Sequence, residues 1–177
     1  MIFMKYMEDV ILTRRSIRKY KPLKIEREKI LQILNAAMYA PSAVNKQPWH
    51  FIVVDDRDVM LKIMEIHRSS KMLETASHAI LVCGDEHLQH DAGYWIADCG
   101  AATQNILLAA RSLGLGSCWI GMYPRESRMK AVGELFNLPE HVKPFALVSL
   151  GYPDEEKETP ERFKPERIYF NSWKNPY

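Results

Sequence analysis

A domain of mixed helix and strand is predicted by three features of this sequence. Four short apolar runs read as buried strands, segments with helical spacing of apolar residues separate them, and 47% hydrophobic content over 177 residues suffices for one ordinary core. No repeat or low-complexity segment divides the chain. It reads as a single domain over residues 1–177, with 153–177 as an extended C-terminal tail whose first part, Pro153 to Pro165, is rich in Glu, Lys and Pro. Alternation alone fits both α/β and α+β, because parallel crossovers and mixed sheets leave the same signature.

Taken in order, Ile30, Ile33, Leu34, Ala37 and Met38 recur at the helical period until Pro41 stops the run. The loop that follows leads into Phe51-Ile52-Val53-Val54, a buried strand. Met60, Ile63, Met64 and His67 mark a second helical face, and Ala79 to Cys83 a second core strand closed by Gly84-Asp85. A long helix is expected from about Tyr94 to Leu113, with Ile96, Cys99, Thr103, Ile106, Leu107 and Ala110 on one side and Gly114 as a left-handed terminator. Ser117 to Gly121 is the third strand. A shorter helix around Glu126 to Phe136 precedes the fourth, Phe145 to Leu150, which ends at Gly151.

A formal charge of +2 gives the chain no general attraction for nucleic acid or an anionic membrane. Cys83, Cys99 and Cys118 are widely spaced and form no C-x-x-C, which disfavours a disulfide framework and a zinc site and suits a reducing cytoplasm. The apolar opening, Met1 to Met4, is interrupted by Lys5, Glu8 and Asp9 before it reaches signal or spanning length, so a soluble cytoplasmic protein is expected. His87 and His90, with Asp85 and Asp91, suggest a metal only if a helix turns both imidazoles one way. Spacing supplies no third ligand and the segment is polar, so no metal is expected.

Gly114-x-Gly116 with Gly121 does not make a dinucleotide site. The third glycine is misplaced, and a helix precedes these glycines while a strand follows, the reverse of the order that presents amides to a pyrophosphate. No Ser/His/Asp or nucleophilic Cys arrangement stands out.

Two segments carry more chemistry. Arg14, Arg15, Ser16 and Arg18 crowd into five positions, and guanidinium forks with a hydroxyl match phosphate oxygens. Lys19, Lys21, Lys24 and Arg27 extend the run, so it also suits a solvated face, or a nucleic-acid patch whose one stacking aromatic is Tyr20. In the loop Ala40 to Trp49, the amides of Asn45 and Gln47 can donate to and accept from a ring edge with adjacent C=O and N–H groups. Pro, Ser and Asn there also suit an ordinary turn, and Trp49 suits core packing.

The segments RRSIRKY, APSAVNKQPWHFIVV and YWIADCGAATQNILLAARSLGLGSCWIG, in that order, resemble the FMN-dependent nitroreductase family from about Met7 to the chain end. The resemblance implies an α+β fold: a mixed, mainly antiparallel sheet flanked by helices, in an intertwined homodimer with the flavin at the subunit interface and the tail on the partner. It implies that Arg14, Arg15, Ser16 and Arg18 line the phosphate, ribityl chain and N1/C2 edge. Pro41, Ser42, Ala43 and Asn45, with Gln47 beside them, would reach the flavin from the second subunit. Lys71 would contact the pyrimidine side, a backbone N–H at Ile120 or Gly121 would meet N5, and Arg162 and Lys164 would form a terminal basic pair for the phosphate. Many relatives carry Glu-Gly where this chain has Ile120-Gly121.

The implied activity is a ping-pong transfer of hydride from NADH or NADPH, through FMN, to a nitroaromatic, a quinone or a similar planar small-molecule acceptor. The cofactor carries that chemistry, so no side chain need serve as acid, base or nucleophile. Positive charge from Arg14, Arg18 or Lys71 near N1/C2 should raise the flavin potential. The rival readings are a noncatalytic FMN storage or sensor protein, and a basic-patch nucleic-acid binder.

Overall fold

In the computed structural model, which describes residues 9–176, a four-stranded sheet forms the middle of three layers. Its strands are β1 (Trp49–Val54), β2 (His78–Asp85), β3 (Gly116–Gly121) and β4 (Val142–Gly151), in the spatial order β1-β2-β4-β3. Every strand pair is antiparallel, with Phe51 opposite Val82, Leu81 opposite Leu147 and Ile120 also opposite Leu147. The architecture is the expected α+β, but the expected mixed character is confined to a single parallel bridge between Ser16 and Ser117.

Each strand extends beyond its apolar run, because neighbours recruit polar or bulky residues into pairing. His50 joins opposite Cys83, and His78 opposite Leu150. All eight residues of β2 are buried, since helices cover both faces. Pro144, which lacks an N–H to donate, lies in β4 where the β2–β4 register shifts between Val82 and Cys83.

Four α-helices lie wholly within the described residues, α1 (Arg27–Met38), α2 (Arg57–Ile66), α3 (Tyr94–Ser112) and α4 (Glu126–Leu135). On one face, Ile30, Ile33 and Ala37 of α1 and Cys99, Ala102 and Ile106 of α3 pack with Ile80, Val82, Ala146 and Val148. On the other, Met60 and Ile63 of α2, Leu73 and Val132 of α4 pack with Ala79, Leu81, Cys118, Ile120 and Leu147. The Asp56 carboxylate caps α2 by accepting from the N–H groups of Asp58 and Val59. Gly114, at φ 74°, ends α3 while the Leu115 N–H returns to the Ala110 carbonyl at 2.9 Å. The buried side of α3 is broader than its expected stripe, adding Trp95, Asp98 and Ala102. The helix touches both the sheet and α1, where Asn105 Nδ2 donates to the Ala36 carbonyl at 2.9 Å.

A strap of residues 14–20 runs along the outer edge of β3, with the Ile17 N–H donating to the Ser117 carbonyl at 2.9 Å. The tail starts against this strap: Asp154 N–H donates to the Lys19 carbonyl at 2.9 Å, and Lys157 Nζ to the Ser16 carbonyl at 2.8 Å. No helix among the described residues is long and apolar enough to cross a membrane. The apolar opening Met1 to Met4, with Lys5 and Glu8, lies outside the described residues.

Candidate functional site

The basic segment becomes a site because the strap is held flat against β3. Arg14 is half-buried and lines a cavity of about 320 Å3 with Arg15, Arg111, Ser117 and Lys157. Burial, then the charges of Arg15 and Arg162, pull the Arg14 pKa down. The chain therefore brings Arg162 of the tail to the N-terminal cluster. Among the described residues no carboxylate pairs with Arg14. Glu155, on the cavity wall, is already engaged by Lys157 at 3.3 Å and by the Arg18 N–H.

The other members separate. Each nitrogen of the Arg15 guanidinium donates to a backbone carbonyl, with Nε reaching Glu158 at 3.1 Å, so Arg15 ties the tail to the strap. Ser16 lies beside the Cys118 thiol. Exposed Arg18 lines a second cleft of about 360 Å3 together with Lys71 and Arg68. Lys164 is exposed at the start of the turn Pro165–Arg167. Burial pushes the Cys83 thiol up to about 12 and raises Cys99 and Cys118 as well, so all three are poor nucleophiles.

The amide loop lies elsewhere on the chain. Neither basic cavity includes any residue of Pro41 to Gln47. Its geometry is unusual: Val44, Asn45 and Gln47 all have positive φ, near 50°, a conformation that costs non-glycine residues energy unless their surroundings hold it. Gln47 Nε2 donates to Asn45 Oδ1 at 2.9 Å, and the Gln47 N–H to Ser42 Oγ at 2.9 Å. The decisive anchor is Asp98 of α3, whose Oδ1 accepts from the Ala43 N–H at 3.0 Å. Asp98 is only 5% exposed, and its Oδ2 is the buried side-chain atom that no described group satisfies. Its sequence signal was a carboxylate amid an apolar helical face. Asp98→Ala should cost about 1–2 kcal/mol of stability, and amide exchange at Ala43 to Asn45 should accelerate; unchanged exchange there would dismiss the anchor.

At the end of β3, Gly121 is held by two side chains: His67, expected only as part of a helical face, and Arg128, which the sequence did not single out. His67 Nε2 donates to its carbonyl at 3.2 Å and Arg128 Nη1 at 2.9 Å. His67 Nδ1 accepts from the Ser69 N–H, which fixes the neutral Nε2–H tautomer. His67 lies at the C-cap of α2 rather than on its apolar face. Burial, then the Arg128 charge, lower the His67 pKa from its ordinary 6.5 against the opposing hydrogen bond to Gly121. With a depressed folded pKa, its contribution is fully present above pH 6.5 and is lost as pH falls through the folded value. Buried His78 shifts the same way. Denaturation midpoints measured between pH 8 and 5 should therefore fall less steeply in His67→Gln than in the parent chain.

Backbone alternation orients this strand end. The carbonyls of Ser117 and Gly121 face away from β4, toward Ile17 and toward His67 and Arg128, whereas the Met122 N–H faces β4 and donates to Phe145. With a period of two, the amide of Ile120 faces β4 and that of Gly121 faces outward. The side chains alternate too, leaving Trp119 37% exposed against Phe145.

The profile of the Nitroreductase family matches residues 11–77 and 66–152. This chain belongs to that family. A protein of Archaeoglobus fulgidus, provisionally named NADH dehydrogenase/NAD(P)H nitroreductase, is 54% identical over 168 residues, 93% of this chain and 97% of its own length. A Clostridium acetobutylicum crystal structure, provisionally named an NADH oxidase, superposes with a TM-score of 0.90 at 44% identity, covering 93% of this chain and all of that one. A provisionally named nitroreductase from Desulfovibrio desulfuricans, crystallised in complex with FMN, gives a TM-score of 0.82 at 27% identity, covering 94% and 97%.

Proposed function

We propose that this chain is an FMN-dependent NAD(P)H oxidoreductase, working in the reducing cytoplasm as a homodimer whose flavin sites lie between subunits. The observation that carries the reading is half-buried Arg14, crowded by Arg15 and Arg162 and unpaired with any described carboxylate. A cation so placed calls for an anion, and a phosphate is the anion that guanidinium forks fit best. Arg14 and Arg162, with Ser16 near them, would hold that phosphate. Arg18 and Lys71, which share the second cleft, would hold the N1/C2 edge. The outward N–H of Gly121 fits the role of donor to N5 better than that of Ile120, which is directed into the sheet.

Bound FMN would supply the hydride chemistry, taking it from NADH or NADPH and giving it to a nitroaromatic, quinone or similar planar acceptor in a ping-pong cycle. The chain's own work is positional. Asp98 fixes the loop that presents Asn45 and Gln47, and His67 and Arg128 fix the strand end that presents Gly121. The loop's separation from the basic cavities within one chain supports a site completed by a partner subunit. Phe163, Phe170 and Trp173, 69%, 50% and 80% exposed in the tail, offer the apolar surface such a partner would cover.

A nucleic-acid surface fits this arrangement less well, because the strap lies against β3 and beneath the tail rather than standing out as a basic ridge. The test is the visible spectrum of purified protein supplied with FMN, before and after anaerobic NADH or NADPH and then after a nitroaromatic. Bleaching and recovery support the oxidoreductase; a bound flavin that neither nucleotide bleaches indicates storage or sensing instead.

A further inference from the structure

The geometry points to a second site, a divalent transition-metal centre of the zinc type, where Asp85, His87 and His141 converge at one end of the sheet. One donor atom from each lies within 4.8 Å of the others. His50 of β1 lies outside that group but reaches the same carboxylate, its Nε2 3.2 Å from Asp85 Oδ2, with His141 Nε2 3.9 Å from the same oxygen. A tetrahedral zinc ion with nitrogen and carboxylate ligands sets its donors about 3.3 Å apart. The cluster is therefore within a side-chain rotation of that spacing. The rings of His87 and His141 stack at 4.0 Å and 7°, so the two imidazoles already lie side by side next to the carboxylate.

The surroundings are built to hold this arrangement. Asp85 is buried, and its Oδ1 accepts from the His87 N–H at 2.8 Å, leaving Oδ2 aimed at the imidazoles. The Glu86 N–H donates to the His141 carbonyl at 2.9 Å, tying the two histidine-bearing segments together. Two imidazoles and one carboxylate, with the His50 imidazole on that carboxylate, favour zinc and its neighbours over magnesium or calcium, which take oxygen shells. The segment 86–93 forms turns and not a helix, so the sequence pair His87 and His90 does not share a helical face; the second imidazole, His141, comes from the turn just before β4 instead.

Position suggests what the ion would do. The Asp85 N–H donates to the Pro48 carbonyl at 2.7 Å, one residue beyond Gln47. An ion here would staple β1, β2 and β4 where the amide loop re-joins the sheet. The site stands on its own residues and does not depend on the flavin reading.

Equilibrium dialysis of chelator-treated, full-length protein against Zn2+, with metal counted per chain, tests it. About one zinc per chain is expected at micromolar free zinc, with thermal stability rising as zinc is added. His87→Ala and His141→Ala should each weaken binding about tenfold or more, while His90→Ala, in the same turn, should bind as the parent does. The proposal is overturned if the parent chain takes up no zinc, or if either His87→Ala or His141→Ala binds it undiminished.

Discussion

Arg14→Ala should weaken FMN binding by about 1.5–3 kcal/mol, roughly ten- to a hundredfold in Kd, because a charged hydrogen bond to phosphate is lost from a partly desolvated site. Its effect on the flavin-free protein separates a binding role from a structural one. Arg14 is half-buried beside two other guanidiniums and has no carboxylate partner among the described residues. Removing it relieves repulsion, so the flavin-free variant should unfold at no lower a denaturant concentration than the parent. A structural arginine would show the opposite pattern, with lower stability and unchanged affinity. Flavin fluorescence titration and urea denaturation on the same preparation decide between them.

The second large effect is expected from Gly116→Val. A Cβ at Gly116 would lie 2.8 Å from both Cβ and Cγ2 of Ile17, so the strap rides directly on this glycine. Ile17 is branched at the atom that clashes and hydrogen-bonded through its N–H to Ser117, so it cannot turn aside without moving the strap. Overpacking of this kind costs about 2–3 kcal/mol. FMN affinity should fall with it, because Arg14, Ser16 and Arg18 move with Ile17. Gly114→Ala makes the useful comparison: its strain comes from φ 74° at the end of α3, with open space around the added methyl group. That variant should lose stability while keeping its flavin affinity.

What the sequence reveals and what it conceals follow from the range of the forces involved. The interior of β2 and the latter half of β4 are legible because strands covered on both faces read as unbroken apolar runs. Their ends are not, since His78, Asp85 and Pro144 enter the ladder through their partners and not their own preferences. The long helix and its Gly114 terminus are local signals, and they stand where expected. The basic strap and the amide loop are likewise legible from residue types in short windows. Asp98, His67 and Arg128 act through backbone groups brought to them by the fold, 55 residues away in the case of Asp98 and Ala43. His141 joins Asp85 and His87 only because β2 and β4 pair, a fact that no spacing along the chain encodes.

The central claim is that one flavin site draws its cations from one subunit and its amides from the other, and mixed dimers test it directly. One subunit would carry Arg14→Ala and its differently tagged partner the pair Asn45→Ala and Gln47→Ala, with the heterodimer isolated through both tags. If sites are shared, one site inherits every substitution and the other none, so the heterodimer should bind one FMN with the parent affinity while each homodimer binds weakly at both sites. Two equally weakened sites in the heterodimer, or a flavin-loaded monomer, would contradict the account.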